Sequence, residues 1–246
     1  MRKTITIAAY NRPGLLAKML QSLEGQMRPL ADYKLYIRID AGGPHFEKVK
    51  QVALGVDFMD CEVFHPKKNE GCIMNTYKLM MRVFETEGAD WNVYLEDDFL
   101  LSPDTFNLVE WYIAHAEELK GCFGIEDIGA YCLCRLRESG DPEKIYLSRA
   151  FVGWGFLMDV HQWRTYAKPA WCSARKLWGY DRMWDNSLAD YIRVCGASVH
   201  NVFPELSRIT NTGRVGTHFT ARKYDELMQN HKYNQGRKAY DFRLQD

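Results

Sequence analysis

The sequence has no hydrophobic run near the ~20 residues that a transmembrane helix needs, so we expect no membrane span. It also has no net charge, because 32 Lys and Arg residues balance 32 Asp and Glu residues. A neutral chain is a poor candidate for a protein that coats nucleic acid over its whole surface. The N-terminal stretch MRKTITIAAY lacks the apolar core and cleavage site of a signal peptide. We therefore expect a cytoplasmic protein.

The seven cysteines are odd in number and show none of the paired spacings of a zinc site. This pattern is typical of reduced thiols in a cytoplasmic protein. Cys132 and Cys134 share one face of a predicted strand. We expect them to pack in the core rather than to serve redox chemistry.

Two glycine-rich phosphate-binding motifs are missing as well. No Gly-x-Gly-x-x-Gly follows the first predicted strand, and no Gly-x-x-x-x-Gly-Lys-Ser/Thr occurs. These absences argue against a Rossmann dinucleotide site and against a Walker phosphate loop. A nucleotide that is bound without a glycine cradle needs a cation on its diphosphate.

What the sequence does contain is an alternation of strand and helix patterns over its first hundred or so residues. Short β-branched or aromatic stretches alternate with segments whose apolar residues recur every three to four positions. The predicted strands are Thr4–Tyr10, Tyr33–Ile39, Cys61–Phe64 and 91–95, and the predicted helices follow Pro13 and cover Phe46–Leu54 and Cys72–Glu85. This order predicts an α/β fold with a mostly parallel central sheet and helices on both faces.

Three carboxylates, Glu96, Asp97 and Asp98, end the strand in the stretch WNVYLEDDFLLSPDTF. Ser102 is predicted to cap a helix whose first residue is Pro103. The acids therefore lie where a buried strand reaches the surface before a helix. Ligands bind at this carboxyl edge in open α/β sheets.

Adjacent carboxylates repel one another, and no Lys or Arg lies within three residues of this triplet. A hard divalent cation such as Mg²⁺ or Mn²⁺ would relieve the repulsion, because it prefers carboxylate and phosphate oxygens. A solvated acidic turn is the alternative, but the position after an apolar strand favours the cation. Right-handed crossovers would bring Tyr10–Arg12, Asp40, Asn69–Gly71 and the triplet to one edge.

The segments TIAAYNRP, RIDAGG, KNEGCIMN and YLEDDFLLSPDTF resemble, in this order and spacing, segments of the GT-A glycosyltransferases. The likeness is strongest to the N-acetylglucosaminyltransferase I and family 2 types, which use nucleotide-sugar donors. The resemblance implies a GT-A (Rossmann-like) fold, with a smaller sheet on the acceptor side. It implies that Asp98 binds Mn²⁺ or Mg²⁺, and that Glu96 and Asp97 lie near the sugar and the ribose.

The same resemblance implies a set of donor-binding residues in the other loops of this edge. They are Tyr10, Arg12 and Asp40 beside the base and ribose, and Asn69, Gly71 and Asn75 along the donor pocket. For Arg12 and Asp40 the alternative is an ion pair or cap that stabilises the loops.

The second half contains two further predicted strands, Gly129–Leu136 and Phe151–Met158. Gly153 and Gly155 permit close backbone approach on either side of Trp154. By the resemblance, Trp154 lies against the donor sugar; packing in the core is an equal alternative.

An inverting transfer needs a base that takes the proton of the acceptor hydroxyl. A carboxylate suits this role when a cation neutralises the leaving diphosphate. The resemblance, which also implies inversion, places the base just before a C-terminal helix. Asp181 is the best match and Asp185 the reserve, with a helix cap as the alternative for either.

The segment TGRVGTH at 212–218 resembles a flexible loop that covers the donor in those enzymes. The glycines beside Arg214 suit a mobile loop whose cation meets phosphate on closing. His218 is a candidate ligand of the metal or of a phosphate, with a solvated histidine as the alternative.

From Ser207 to Asp246, eight Lys or Arg residues accompany four Asp or Glu residues. We favour an amphipathic helix docked on the sheet with a basic outer face. A surface for a polyanionic acceptor is the alternative. The expected acceptor is a hydroxyl of a glycan, a glycoconjugate or a hydroxymethylated DNA base, since phage-type DNA-modifying enzymes also use this fold.

We thus expect one GT-A catalytic domain over 1–246, with a nucleotide-sugar-binding half (1–101), an acceptor-side half (102–206), and a mobile loop with a basic C-terminal segment (207–246). The predicted activity is metal-dependent, inverting transfer of a hexosyl or N-acetylhexosaminyl group, with UDP as the carrier. A sugar-phosphate nucleotidylyltransferase would need a glycine-rich basic loop that Tyr10–Leu15 lacks. A non-catalytic carbohydrate- or nucleic-acid-binding protein would not need the acid triplet.

Overall fold

The computed structural model describes residues 1–136, 140–171, 184–195, 199–214, 220–238 and 240–244. The strands are β1 (Lys3–Ala9), β2 (Tyr33–Ile39), β3 (Cys61–Phe64), β4 (Trp91–Glu96), β5 (Phe99–Leu101), β6 (Asp127–Cys132), β7 (Lys144–Ser148), β8 (Phe156–Asp159), β9 (Val199–Pro204), β10 (Ile209–Asn211) and β11 (Arg243–Leu244). The helices are α1 (Pro13–Glu24), α2 (Phe46–Leu54), α3 (Gly71–Met81), α4 (Thr105–Phe123), α5 (Val160–Gln162), α6 (Trp184–Cys195) and α7 (Ala221–Met228). π-Helical turns follow α3 (Arg82–Thr86) and α5 (Trp163–Ala167).

Nine strands form the central sheet in the order β11-β7-β9-β6-β8-β4-β1-β2-β3. β1 pairs in parallel with β2 and β4, and β2 pairs in parallel with β3. β8 runs antiparallel between β4 and β6. The predicted α/β fold, with a mostly parallel central sheet and a small second sheet, is confirmed. The small antiparallel sheet consists of β5 and β10, whereas β6 and β8 extend the central sheet.

Apolar side chains cover both faces of the central sheet. One cluster joins α1, α2 and α4 to the sheet, and a second joins α3, the π-helical turns and α6 to the opposite face. As a result, Asn92 and Tyr94 of β4 are as fully buried as Val93 between them. The alternation of apolar and polar residues in this strand therefore marks no solvent face. Cys132 and Cys134 are buried in the core as expected.

The prediction that Ser102 caps the next helix was wrong. Residues 99–101 first form β5, and α4 begins only at Thr105, because pairing with β10 extends the chain past the acid triplet. The Ser102 hydroxyl donates instead to the carbonyl of Asn234. This hydrogen bond ties the start of α4 to the C-terminal segment.

The C-terminal segment is anchored differently from the expected docked helix. Helix α7 contains no buried residue. The chain after it holds the segment in place, because Asn234 and Phe242 are buried and β11 pairs with β7. Within the described ranges, no helix has the length and apolarity needed to cross a bilayer.

Candidate functional site

The carboxyl ends of β1, β2 and β4 meet at one edge of the sheet. The carbonyl of Ala9 accepts a hydrogen bond from the N–H of Asp40 at 2.8 Å. The carbonyl of Ala8 accepts one from the N–H of Asp97 at 3.2 Å. These bonds set the loops after the three strands side by side, where open α/β sheets bind ligands.

Arg12, from the loop after β1, lies directly on the acid triplet. Its Nη1 donates to Asp98 Oδ2 at 2.7 Å, and its Nη2 donates to Asp97 Oδ1. The N–H of Tyr10 donates to the other Asp97 oxygen at 3.1 Å. The triplet thus has a cationic partner in space that it lacks along the chain. This contact matches the loop-stabilising ion pair considered for Arg12. The position of Arg12 beside the base and ribose of a nucleotide stays a prediction.

Asp98 keeps one carboxylate oxygen without a hydrogen-bond partner. Its side chain is only 6% exposed, and its Oδ1 is buried and unpaired. The backbone N–H and the hydroxyl of Thr212 both donate to the Asp98 carbonyl, at 2.7 and 2.9 Å. Nearly all buried polar atoms in proteins are paired, so this oxygen requires an explanation.

Gly213 lets the chain close over Asp98. A Cβ atom on Gly213 would lie 2.1 Å from Asp98 Oδ2 and 2.9 Å from Arg12 Nη1. No side chain larger than hydrogen fits at that separation. The backbone of Thr212 and Gly213 therefore forms a wall of the site, a role that the sequence suggested only as a loop glycine.

The unpaired oxygen of Asp98 fits a hard cation that is also coordinated by a second bound molecule. An unpaired carboxylate oxygen suits Mg²⁺ or Mn²⁺, which are commonly bound by one or two carboxylates, phosphate oxygens and water. Among the residues that the structure describes, no group of three or more His, Cys, Asp or Glu side chains forms a metal site. His218, the second expected ligand, lies outside the described residues. A cation here would therefore need further oxygens from a bound molecule or from water.

The pKa values of two carboxyls in the triplet are raised. Burial and the neighbouring charge of Asp98 raise the pKa of Glu96 to about 8. Burial raises the pKa of Asp97 to about 6, although the charge of Arg12 opposes the shift. An added divalent cation would favour the ionised forms of Glu96 and Asp97. One oxygen of Glu96 accepts a hydrogen bond from the hydroxyl of Tyr94 at 2.8 Å.

Asp40, Asn69 and Gly71 form a second network at the same edge. The two oxygens of Asp40 accept from the N–H groups of Glu70 and Gly71, at 2.9 and 2.8 Å. Asn69 Oδ1 also accepts from the N–H of Gly71, at 3.0 Å. Gly71 has a φ of 77°, which favours glycine. Asp40 therefore holds the start of α3, as a loop-stabilising residue does, and its contact with a base stays a prediction.

Asn75 is buried below this loop. Its side-chain oxygen accepts from Arg38 Nη1, and Arg38 Nη2 donates to Glu70 at 2.6 Å. Arg38 is itself only 5% exposed. This buried cation lies among the residues of β2, and no local sequence pattern marks it.

The second half of the chain contains the remaining predicted site residues. Trp154 is half-buried, with its ring centroid 6.3 Å from that of His231. Arg214 is 62% exposed and pairs with Asp225 at 2.6 Å. Asp185 is half-buried in the first turn of α6. Asp181, the favoured base, lies outside the described residues.

The chain has the GT-A fold, which is found in glycosyltransferases. A comparison with protein-family models and with curated proteins finds no match. Among solved structures, the chain is similar to residues 1–349 of S. aureus TarS in complex with UDP-GlcNAc. That match has a TM-score of 0.59 at 9% identity and covers 93% of this chain and 65% of that one.

The chain is also similar to the mannosyltransferase PcManGT from Pyrobaculum calidifontis in complex with GDP-Man and Mn²⁺. The TM-score is 0.51 at 16% identity, over 84% of this chain and 57% of that one. The chain thus spans less than two thirds of the length of either structure. At these identities the likeness shows the GT-A fold and does not single out the N-acetylglucosaminyltransferase I type.

Proposed function

We propose that this chain is a glycosyltransferase that moves a hexosyl or N-acetylhexosaminyl group from a nucleotide sugar, with UDP as the carrier, to a hydroxyl acceptor. The proposal includes a divalent cation and inversion at the sugar. The observation that carries it is the buried, unpaired Oδ1 of Asp98 at the edge where β1, β2 and β4 end. The GT-A fold supports it, as do similar structures that hold UDP-GlcNAc or GDP-Man with Mn²⁺.

On this proposal, Asp98 holds Mn²⁺ or Mg²⁺ through Oδ1. The cation, when bound, neutralises charge on the leaving diphosphate. Arg12 fixes the orientation of Asp97 and Asp98 through two charge-assisted hydrogen bonds. Glu96 and Asp97 then lie beside the sugar and the ribose. The donor pocket is completed by Tyr10, Asp40, Asn69, Gly71, Asn75 and Trp154.

The base in this scheme is Asp181, with Asp185 in reserve. It takes the proton of the acceptor hydroxyl while the oxygen attacks the anomeric carbon and the bond to the diphosphate breaks. Arg214 would leave Asp225 and bind phosphate when the loop closes, and His218 would bind the metal or a phosphate. On this proposal, residues 1–101 form the nucleotide-sugar-binding half and residues 102–206 the acceptor-side half. Residues 207–246 supply the mobile loop and the basic C-terminal segment.

The acceptor is a hydroxyl of a glycan, a glycoconjugate or a hydroxymethylated DNA base. One observation favours DNA as a second candidate: Lys232, Arg237 and Lys238 are exposed. Within the described residues they form no ion pair. Exposed cations of this kind contact phosphates in nucleic-acid complexes.

The test is a thermal-shift screen of UDP-GlcNAc, UDP-glucose and GDP-mannose, with and without Mn²⁺. A ligand at 100 times its Kd stabilises a protein by about 2.7 kcal/mol. We expect a rise in Tm with a UDP-sugar that is larger with Mn²⁺. Sugar incorporation into plain and hydroxymethylated DNA would then test the acceptor. If none of the three donors raised Tm with or without Mn²⁺, the proposal would be wrong.

A further inference from the structure

The hydroxyl of Tyr94 lies in a chain of hydrogen bonds that leads from α3 to the candidate site. It donates to Glu96 Oε1 at 2.8 Å and lies 3.0 Å from the hydroxyl of Thr76. Tyr94 is 0% exposed and Thr76 is 1% exposed. Because the single phenolic proton is given to Glu96, Thr76 donates to the oxygen of Tyr94. The chain therefore runs from Thr76 through Tyr94 to Glu96.

Packing alone does not require this hydroxyl. The ring of Tyr94 stacks on Phe156, with centroids 5.1 Å apart and planes inclined by 29°. Phenylalanine at position 94 would fill the same space. A phenolic hydroxyl is costly to bury unless it is hydrogen-bonded. Its presence is thus explained by its partners and not by the core.

Glu96 ends this chain with one oxygen occupied and the other available. Oε1 accepts from Tyr94, whereas no hydrogen bond to Oε2 occurs among the described residues. The side chain is half-buried at the edge that carries Asp97 and Asp98. A carboxyl oxygen that accepts no hydrogen bond is able to accept one from a hydroxyl group of a ligand.

Resting on the proposed function, we propose that Thr76 and Tyr94 are positioning residues that orient Glu96 so that its Oε2 accepts a hydrogen bond from a hydroxyl of the nucleotide sugar. Without the Tyr94 hydroxyl, Glu96 can turn, and its bond to the ligand is weakened. Sites that hydrogen-bond a substrate hydroxyl discriminate strongly against analogues that lack it. On this proposal, the hydrogen bonds from Thr76 through Tyr94 to Glu96 affect how tightly the donor binds.

The experiment compares Tyr94→Phe with Tyr112→Phe as a matched control. Tyr112 is also 0% exposed, and its hydroxyl lies 3.5 Å from the carbonyl of Cys132, in the cluster on the other face. We expect Tyr94→Phe to raise the Kd of the donor about tenfold, in line with the loss of one hydrogen bond that orients Glu96. Thr76→Val should act in the same direction, and Tyr112→Phe should leave the Kd unchanged.

A double-mutant cycle makes the assignment specific. In a Glu96→Ala background, adding Tyr94→Phe should change the Kd of the donor no further, because the group that it orients is absent. Equal donor Kd values for Tyr94→Phe and Tyr112→Phe, or full additivity in the cycle, would overturn the inference while the proposed function stands. Failure of the wild-type protein to bind any donor would remove the proposed function and the inference together.

Discussion

Two of the arginine–aspartate contacts in this molecule involve buried aspartates, and they differ in how completely the carboxylate oxygens are hydrogen-bonded. Arg208 Nε donates to Asp104 Oδ2 at 2.8 Å, with both side chains 0% exposed. The second oxygen of Asp104 accepts from Asn234 at 2.8 Å. At the sheet edge, Arg12 binds Asp97 and Asp98 but leaves Asp98 Oδ1 without a partner.

Arg208 and Asp104 form a structural anchor, whereas Arg12, Asp97 and Asp98 form a candidate binding site. The remaining Arg208 nitrogens donate to the carbonyls of Leu206 and Pro142, and the rings of Tyr240 and Phe242 lie 5.3 Å from its guanidinium. A complete buried network joins chain segments and needs no ligand. A network in which one buried acceptor is unpaired can bind a ligand at that acceptor.

Breaking the anchor should have the largest effect on stability. Arg208→Met leaves the charge of Asp104 buried without its partner, which typically costs about 3–5 kcal/mol. Urea unfolding should show a clearly lowered midpoint. Arg222→Met is the control, because Arg222 is 89% exposed and pairs only along α7; it should leave the midpoint in place. Equal midpoints for the two variants would contradict the anchor role.

Filling the glycine position at the site should have a smaller effect on stability and a large one on binding. In Gly213→Ala the new Cβ meets Asp98 Oδ2, and such overpacking costs about 1–3 kcal/mol. Because Asp98 must shift, we expect the donor to lose its effect on Tm. Gly121→Ala, in α4 with no atom within 4 Å of the added Cβ, should keep that effect. Unchanged donor binding in Gly213→Ala would contradict the described wall.

Glu110 offers the mildest test, because both of its carboxylate oxygens accept hydrogen bonds and it lies at the opposite end of β1 from the candidate site. Glu110 accepts from Lys3 at 2.8 and 2.9 Å and from the hydroxyl of Tyr33. Burial works to raise the pKa of Glu110, but the hydrogen bonds from Lys3 and Tyr33 outweigh it and the net shift is downward. Glu110→Gln should cost about 1 kcal/mol at neutral pH.

The pH dependence of this cost follows from the sign of the shift. A carboxyl with a lowered folded-state pKa stabilises the fold above its unfolded-state pKa of about 4.3. That contribution is lost as the pH falls through the lower, folded-state pKa. The difference in unfolding free energy between wild type and Glu110→Gln should therefore shrink in acid. A difference that is constant between pH 7 and pH 3 would show that the ion pair is not its source.

Much of the fold could be predicted from local patterns. The strands Tyr33–Ile39 and Cys61–Phe64 and the helix Phe46–Leu54 have the predicted bounds, because periodicity reflects which face is buried. The acid triplet was found for the same reason, since it ends an apolar strand. Ser102 was misassigned as a cap because its neighbours pair with β10, which is more than a hundred residues away.

The partners at the site could not be predicted from the sequence. Arg12 reaches Asp97 and Asp98 across 85 and 86 residues, and nothing local specifies that pairing. Tyr94 lies in a strand whose apolar and polar residues alternate, a pattern that suggests one face exposed to solvent. Both faces are covered, so the Tyr94 hydroxyl is buried and hydrogen-bonds to Glu96. Such contacts arise from the topology and not from the pattern of neighbouring residues.

The central claim is that Asp98 Oδ1 holds a cation against the donor diphosphate. Its most direct test is calorimetric titration of UDP into wild type and Asp98→Asn, each with and without Mn²⁺. We expect Mn²⁺ to lower the Kd of UDP at least about tenfold in the wild type and to have no effect in Asp98→Asn, while the two proteins unfold at similar temperatures. The same Mn²⁺ effect in both proteins, or none in the wild type, would contradict it.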